Sequence, residues 1–387
     1  MSKYEIPYGR HSIDQNDIDA VVSALRGDRI TQGGKVEEFE KVLSSYCGSK
    51  YAVAVSSGTA ALHLACIIAG VKAGDEVITT PITFAATSNM VLLAGGKTVF
   101  ADIGHRSMNI DPEEIVKKIT KKTKAIIPVH FSGFPCDMDK ISKIAREKGI
   151  FIIEDACHAL GAKYASGETV GSNTYCGLTV LSFHPVKHIT TGEGGAVLTN
   201  DYQTYKRLIG LRSHGIYRTN ESQKEQGLWY YEMMELGFNY RITDIQCALG
   251  ISQLKKSDVF LQQRTEIAGQ YNRLFDKNSF FTLPFEGYEI KSSWHFYPIK
   301  LINSMIKQKR EIVEELYNRG IFVQSHYIPV YLHPYYQSLG YGKGICPRAE
   351  EFFNGEISLP LFPTMRDDDV EYVAKNFLDI LKKMQVE

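Results

Sequence analysis

Hydrophobic positions in the first half of the chain recur in two alternating patterns. Seven short runs rich in apolar and β-branched residues are typical of buried strands, at residues 51–56, 76–80, 98–103, 124–130, 150–155, 178–184 and 195–200. Apolar residues at helical spacing lie between the first five runs, at residues 59–70, 84–94, 112–119 and 137–148. Strands that alternate with helices favour a mainly parallel sheet covered on both faces. The pattern therefore predicts an α/β fold.

The chain before and after this alternating region has a different organisation. Apolar stripes at residues 13–26 and 35–46 predict two helices ahead of the first strand. Residues 214–242 combine weak periodicity with many aromatics, which predicts a long ordered loop. The remaining predicted elements are helices at 201–212, 243–275, 304–319 and 367–384 and a strand at 294–301. We expect a large domain over residues 1–258, including the N-terminal helices, and a smaller C-terminal α+β domain over residues 259–387.

Composition narrows the class of protein. The 387 residues carry 44 basic and 44 acidic side chains, a balance that predicts no binding to nucleic acid or to an anionic membrane surface. The sequence has neither an apolar stretch of membrane-spanning length nor the apolar core of a signal peptide. Its seven cysteines are scattered without a CxxC pair, so no metal site is expected. We therefore expect a cytoplasmic protein.

Residues able to bind a ligand follow the predicted strands, at the sheet edge where open α/β folds hold their ligands. Ser57, Gly58 and Thr59 follow the first strand and begin a helix, where free N–H groups and hydroxyls suit an anion. The alternative for these three residues is an ordinary helix cap. Phe84 follows the second strand, where its ring either stacks on a flat ligand or belongs to the core.

Two charged residues follow later strands. Asp155 ends an apolar strand, where burial of an unpaired carboxylate costs free energy. It is therefore either a helix cap or the partner of a cationic ligand atom. Lys187 comes shortly after Ser182 and just before the glycine-rich TGEGG (191–195); the alternative is an ordinary surface lysine. Pyridoxal 5′-phosphate requires this combination of groups in its binding site: an anion cradle, an aromatic ring, a buried carboxylate and a lysine.

These residues lie in segments that resemble the sugar aminotransferases of the DegT/DnrJ/EryC1/StrS family, which have the aspartate aminotransferase-like fold (fold type I). The resemblance covers nearly the whole chain. It is carried by ITQG (30–33), SSGTAAL (56–62), PITFAAT (81–87), EDACHALGA (154–162), SFHPVKHITTGEGGAV (182–197), LRSHG (211–215), GFNYRITDIQCALG (237–250), WHFYPIKL (294–301) and SHYIPVY (325–331). It implies an enzyme that depends on pyridoxal 5′-phosphate and works as a homodimer with shared active sites.

The same resemblance implies a role for each candidate residue. Lys187 is the lysine that carries the cofactor, and Asp155 faces the pyridine nitrogen of the ring. Phe84 stacks on that ring, and His158 lies near its phenolic oxygen. The implied phosphate ligands are Gly58, Thr59 and Ser182, with Asn239 reaching the phosphate from the neighbouring subunit.

Within the family, the chain is similar in particular to the UDP-sugar 4-aminotransferases of the pseudaminic acid pathway. SFHPVKHITT (182–191), SHYIPVY (325–331) and a tyrosine ahead of ITQG carry this finer resemblance. It implies two half-reactions, in which glutamate donates an amino group to C4 of a UDP-linked 2-acetamido-2,6-dideoxy-4-hexulose. The implied substrate contacts are Tyr8, Ile30, Thr31, Gln32, Gly33, Ser57, His326 and Tyr327.

Three alternatives remain open for the function. The first is amination of C3, or of C4 of another nucleotide sugar, such as a GDP- or dTDP-linked one, on the same architecture. The second is a cofactor-dependent dehydratase; histidine replaces the lysine in the dehydratase relatives, so the presence of Lys187 argues against it. The third is a non-catalytic binder of cofactor or nucleotide sugar, against which the lysine, the carboxylate and the anion cradle argue together.

Overall fold

The computed structural model of the protein describes residues 5–288 and 291–386 and contains a central sheet of seven strands. The strands are Tyr51–Val55 (β1), Glu76–Thr79 (β2), Lys97–Phe100 (β3), Thr123–Ile127 (β4), Phe151–Asp155 (β5), Leu178–Ser182 (β6) and Gly195–Thr199 (β7). Their order is β1-β7-β6-β5-β4-β2-β3. Within this sheet β7 alone runs antiparallel to its neighbours. The predicted α/β fold with a mainly parallel sheet is confirmed.

Helices pack on both faces of this sheet. Side chains alternate along a strand: Ala52 and Ala54 of β1 belong to one hydrophobic core, and Val53 and Val55 belong to another on the opposite face. The helices up to residue 274 are Gln15–Leu25 (α1), Gly34–Cys47 (α2), Gly58–Ile68 (α3), Ala86–Leu93 (α4), Pro112–Lys118 (α5), Met138–Lys148 (α6), Tyr202–Arg212 (α7), Asn220–Gln226 (α8), Asp244–Leu254 (α9) and Ser257–Leu274 (α10).

The C-terminal part has its own antiparallel sheet and its own core. This sheet consists of Phe281–Thr282 (β10), Tyr297–Leu301 (β11) and Glu356–Leu359 (β12). Ahead of it in the chain, two short strands pair with each other, Ile216–Tyr217 (β8) and Glu232–Met233 (β9). The remaining helices are Asn303–Ile306 (α11), Lys309–Asn318 (α12), Pro334–Ser338 (α13), Pro347–Gly355 (α14) and Asp367–Val386 (α15). The domain boundary between residues 258 and 259 stays a prediction.

The N-terminal segment joins this C-terminal core. The buried side chain of Ile6 packs in it. The backbone N–H of Ile6 donates to the carbonyl of Gly320 at 2.8 Å, and the N–H of Phe322 donates to the carbonyl of Ile6 at 2.9 Å. The backbone N–H of Leu361 also donates to the carbonyl of Tyr8 at 3.1 Å, which brings Tyr8 towards the central sheet edge.

The structure differs from the sequence prediction in several places. Residues 243–275 form two helices instead of one, because the chain breaks at Lys255–Lys256 and Nζ of Lys256 reaches Asp14 and Asp17 near the start of α1. The predicted loop 214–242 contains α8, β8 and β9. Strand β12 was also not predicted, although Gly355 and Pro360 flank its four residues.

Two general features can be stated for residues 5–288 and 291–386. None of their helices combines the length and the apolar character that crossing a bilayer requires. Within the same residues, histidine, cysteine and carboxylate side chains form no group of three or more that could bind a metal ion.

Candidate active site

A cavity of about 580 Å³ lies at the carboxyl ends of the parallel strands, where it is closed on one side by residues 324–327. The sheet order explains its position, because strands that are far apart in sequence end at the same edge. Most of the predicted site residues line this cavity. They are Tyr8, Ser57, Gly58, Thr59, Phe84, Asp155, His158, Ser182, Lys187, His326 and Tyr327.

The first turn of α3 forms one wall of the cavity. Oγ of Ser57 caps this helix by accepting a hydrogen bond from the backbone N–H of Ala60 at 3.0 Å. A Cβ on Gly58 would lie 2.9 Å from Cβ of Ser182, so only glycine lets these two segments approach so closely. The helix N-terminus and the hydroxyls of Thr59 and Ser182 thus face the same space. This arrangement suits an anion such as a phosphate.

Asp155 ends β5 with its side chain buried. Its Oδ2 accepts a hydrogen bond of 2.7 Å from the hydroxyl of Thr87, and that hydroxyl lies 2.9 Å from the hydroxyl of Thr83. Its Oδ1 accepts a hydrogen bond of 3.2 Å from the backbone N–H of Cys157. These two hydrogen bonds orient a carboxylate that no described lysine or arginine pairs with, so it remains available to a cationic ligand atom.

Lys187 extends into the cavity from the segment after β6. Its Nζ lies 3.3 Å from Nε2 of His295, a histidine ahead of β11. Burial lowers the pKa of Lys187, and the charge of Asp155 opposes that shift. A lysine with a lowered pKa has a larger neutral fraction near pH 7, which is the form that attacks a carbonyl.

Three aromatic side chains surround the space between Lys187 and the cavity mouth. His158 is buried, and its Nε2 lies 3.1 Å from the hydroxyl of Tyr327. Burial and the neighbouring charge of Lys187 hold the pKa of His158 well below its usual range, so His158 is neutral. The ring of Phe84 is 62% exposed, with its centroid 6.4 Å from that of Tyr327. This exposed ring offers a stacking face and is not part of the core.

His326 also lines the cavity. Its ring stacks on Phe296, with centroids 4.2 Å apart and planes inclined by 12°, and lies 5.7 Å from the ring of Tyr8. Its Nδ1 lies 2.8 Å from Oγ of Ser358. These contacts fix the imidazole beside the cavity.

Five predicted site residues do not line the cavity of the single chain. Asn239 is exposed in the segment before α9 and pairs through its backbone with Ser213. The other four are Ile30, Thr31, Gln32 and Gly33, which precede α2. The backbone of this segment contacts the start of α9, where the N–H of Gly33 donates to Oδ2 of Asp244 at 2.8 Å. Their predicted roles stay predictions.

Two residues that were not predicted contact predicted ones: Thr87 contacts Asp155, and His295 contacts Lys187. Thr87 lies in the segment PITFAAT, but its contact with Asp155 joins residues 68 positions apart. His295 lies in WHFYPIKL, but its contact with Lys187 joins residues 108 positions apart, which no local pattern encodes.

The cavity residues fit pyridoxal 5′-phosphate. The close approach of Gly58 to Ser182 leaves a cradle that an added Cβ would fill, at the helix N-terminus that a phosphate prefers. The carboxylate of Asp155 suits a protonated pyridine nitrogen, the ring of Phe84 suits a flat heterocycle, and the amine of Lys187 suits an aldehyde.

Comparison with known proteins agrees with this chemistry. The chain is 43% identical, over 384 residues covering 98% of each sequence, to the UDP-4-amino-4,6-dideoxy-N-acetyl-beta-L-altrosamine transaminase of Campylobacter jejuni strain 81-176. The solved structure of Helicobacter pylori PseC, an aminotransferase involved in the biosynthesis of pseudoaminic acid, matches with a TM-score of 0.92 at 35% identity, covering 98% of this chain and 100% of that one.

A second solved structure is the pyridoxal phosphate form of the putative sugar aminotransferase Spr1654 from Streptococcus pneumoniae. It matches with a TM-score of 0.91 at 31% identity, covering 98% of this chain and 99% of that one. The family model that matches residues 11–378 is that of the DegT/DnrJ/EryC1/StrS aminotransferases. The chain therefore belongs to the DegT/DnrJ/EryC1/StrS aminotransferase family, whose enzymes depend on pyridoxal 5′-phosphate.

Proposed function

We propose that this aminotransferase moves an amino group from glutamate to C4 of a UDP-linked 2-acetamido-2,6-dideoxy-4-hexulose of L-arabino configuration. The product is UDP-4-amino-4,6-dideoxy-N-acetyl-β-L-altrosamine, in pseudaminic acid biosynthesis. The observation that carries the reaction type is the partly buried Lys187 in a cavity with a buried carboxylate and a helix N-terminus. Similarity over almost the full length to enzymes named for this product supports the choice of substrate.

Lys187 is proposed as the group that moves the proton. The chemistry that pyridoxal 5′-phosphate supplies when bound is an aldehyde that accepts the amino group and a ring that withdraws electrons from the reacting carbon. The Nζ atom of Lys187 would take a proton from that carbon and return it to the carbon on the other side of the transferred nitrogen. Burial lowers the pKa of Lys187, which increases the fraction of its amine that is neutral and can act as a base.

Asp155 is proposed to supply a fixed negative charge, and His158 a neutral hydrogen-bonding group. The two hydrogen bonds from Thr87 and Cys157 keep the carboxylate of Asp155 directed at the cavity. A carboxylate there keeps a pyridine nitrogen protonated, and a protonated ring withdraws electrons better. His158 is neutral, so it can donate or accept one hydrogen bond to a phenolic oxygen without adding a charge.

Contacts with the acceptor sugar are proposed for Tyr8, Ser57, His326 and Tyr327. All four line the cavity. A buried polar group left unpaired by the wrong sugar costs about 1–3 kcal/mol. A few such contacts are enough to separate one nucleotide sugar from another.

We also propose a homodimer with shared active sites. The segment before α9 exposes an unusual run of large apolar side chains. Leu228, Trp229 and Leu236 are 83%, 76% and 77% exposed in the single chain, and contiguous apolar exposure of this kind marks an interaction surface. A two-fold partner covering this segment would bring Asn239 to the other subunit's cofactor phosphate, and residues 30–33 to its substrate. A cytoplasmic location is part of the same proposal.

The substrate assignment is tested with a panel of acceptors. The enzyme, loaded with cofactor and supplied with L-glutamate, is given the UDP-linked L-arabino ketosugar, its C5 epimer and a dTDP-linked 4-ketosugar. We expect the highest kcat/KM for the first, and expect His326→Ala to reduce its advantage. A clear preference for the epimer or for the dTDP sugar, or ratios that His326→Ala leaves unchanged, would remove the substrate assignment and leave the aminotransferase.

A further inference from the structure

A chain of hydrogen-bonded side chains lies behind the cavity, on the side closed by the small sheet. Glu356 and Ser358 belong to β12 and are fully buried, whereas His326 lines the cavity. The backbone N–H of His326 donates to Oε2 of Glu356 at 2.8 Å. Oγ of Ser358 bonds to Oε1 of Glu356, and Nδ1 of His326 lies 2.8 Å from Oγ of Ser358. The imidazole is thus linked to a carboxylate through one hydroxyl.

The donors around Glu356 determine the direction of these hydrogen bonds. Nζ of Lys309 donates to Oγ of Ser325 at 3.0 Å, so the hydroxyl of Ser325 donates in turn to Oε2 of Glu356 at 3.0 Å. Oε2 therefore accepts two hydrogen bonds. Burial raises the pKa of Glu356 to about 7, against the lowering effect of its hydrogen bonds and of the charge of Lys309, so the carboxylate is ionised above that pH. Because an ionised carboxylate only accepts, the hydroxyl of Ser358 donates its hydrogen to Oε1.

That direction fixes the tautomer of His326. A serine hydroxyl has one hydrogen, and that of Ser358 is donated to Glu356. Oγ of Ser358 can therefore only accept a hydrogen bond from Nδ1 of His326, so Nδ1 carries the proton. Burial lowers the pKa of His326 to about 3, so the ring is neutral and its Nε2 holds a lone pair. In the described part of the chain, no residue forms a hydrogen bond to this Nε2.

We propose that His326 presents Nε2 to the cavity as a hydrogen-bond acceptor, and that Glu356 and Ser358 are positioning residues that hold it in this tautomer. The ligand group selected at this point is a donor, a hydroxyl or an amide N–H. A carbonyl or phosphate oxygen would meet a lone pair there and is disfavoured. The inference rests on the proposed function, whose acceptor sugar carries both a hydroxyl and an acetamido N–H.

The tautomer can be measured without any turnover. Cofactor-loaded protein labelled with ¹⁵N-histidine is studied by long-range ¹H–¹⁵N NMR at a pH of about 8.5, above the pKa of about 7 to which burial raises Glu356. The signals are assigned with His326→Asn. We expect a protonated Nδ1 and an unprotonated Nε2, retained in Ser358→Thr and lost to a mixture in Ser358→Ala. A protonated Nε2 in the unsubstituted protein would overturn the proposal.

Kinetics test the consequence for the ligand. With the UDP-linked L-arabino ketosugar, Ser358→Ala should raise KM about tenfold, the equivalent of one hydrogen bond. Its rate of reaction with glutamate alone, followed by the cofactor's absorbance, should stay unchanged. Ser358→Thr should restore the sugar KM, and the control Ser142→Ala, a buried serine of α6 bonded to the carbonyl of Asp139, should have no effect.

The outcomes separate the two proposals. A sugar KM unchanged in Ser358→Ala, or an equal loss in both half-reactions, would refute the positioning role. An enzyme that reacts with glutamate but with none of the UDP sugars would refute the proposed acceptor, while the NMR measurement would still decide the tautomer.

Discussion

Substitution of Gly195 by alanine should weaken cofactor binding from outside the cavity wall. Gly195 begins β7, where it pairs with Val55 of β1 on one side and with Ser182 of β6 on the other. A Cβ at this position would lie 2.5 Å from the carbonyl carbon and oxygen of Ser57 and 2.6 Å from the backbone nitrogen of Gly58. All three atoms belong to the peptide that leads into α3.

The size of the effect follows from these distances. Ordinary contacts of a Cβ begin at 3.4 Å, so the peptide between Ser57 and Gly58 must move by about 0.9 Å, and a backbone held by β1 and α3 cannot do so freely. Overpacking of this kind lowers the free energy of unfolding by about 1–3 kcal/mol. One misaligned hydrogen bond to a charged phosphate costs about 1.5–3 kcal/mol, which raises the Kd for the cofactor roughly ten- to 150-fold.

The assay is a titration of cofactor-free protein with pyridoxal 5′-phosphate, with Kd read from protein fluorescence, beside a calorimetric Tm. Gly342→Ala is the matched control, because no atom lies within 4 Å of the added Cβ. Ile380→Val, in the C-terminal core, supplies a variant that loses about 0.5–1.5 kcal/mol of stability elsewhere. If Gly195→Ala bound the cofactor as tightly as Ile380→Val, the argument from the helix N-terminus would be refuted.

Four further predictions concern single residues. Lys187→Ala should abolish turnover yet bind pyridoxamine phosphate noncovalently, and borohydride reduction of the native enzyme should label only the peptide with Lys187. Asp155→Asn should keep the fold by circular dichroism but lower kcat at least about a hundredfold, since a fixed charge is lost; a near-native kcat would show a helix cap. The native protein should sediment as a homodimer and Trp229→Glu, at a 76% exposed position, as a weakened one; a fully active native monomer would contradict shared sites. Burial raises the pKa of Glu356 from 4.5 to about 7, so the folded state binds this proton more tightly than the unfolded state does. The free energy of unfolding should therefore fall as pH rises between these two values. Glu356→Gln should flatten that part of the profile of Tm against pH.

The alternating pattern of strands and helices predicted those features that depend on local sequence. Asp155 and Lys187 could be found because each follows an apolar strand, and the ends of parallel strands meet at one sheet edge. The break between α9 and α10 could not, because no glycine or proline marks it. It arises from the ion pairs of Lys256 with Asp14 and Asp17, which lie more than two hundred residues away.

The hydrophobic pattern could not predict side-chain contacts between residues that are far apart in sequence. His295 reaches Lys187 from the segment ahead of β11, where the backbone N–H of His295 donates to the carbonyl of Ser132 at 2.9 Å. Thr87 orients Asp155 from a helix that reads simply as part of the core. Asn239 and residues 30–33 lie outside the cavity of one chain, and their proposed roles require a second copy, which no feature of a single chain's core can encode.

The pairing of Ile6 with residues 320–322 imposes an order on biosynthesis. The ribosome releases Ile6 long before residues 320–322, so the apolar side chain of Ile6 stays in water until α12 has emerged. The C-terminal core is therefore completed by a residue that is made before the central sheet, and it closes only after residues 320–322 have been made. A fragment of residues 259–387 produced alone would lack the isoleucine and would expose the backbone edge that Ile6 covers. Adding back a peptide that spans residues 5–14 should then complete its core, much as a missing strand completes a split protein.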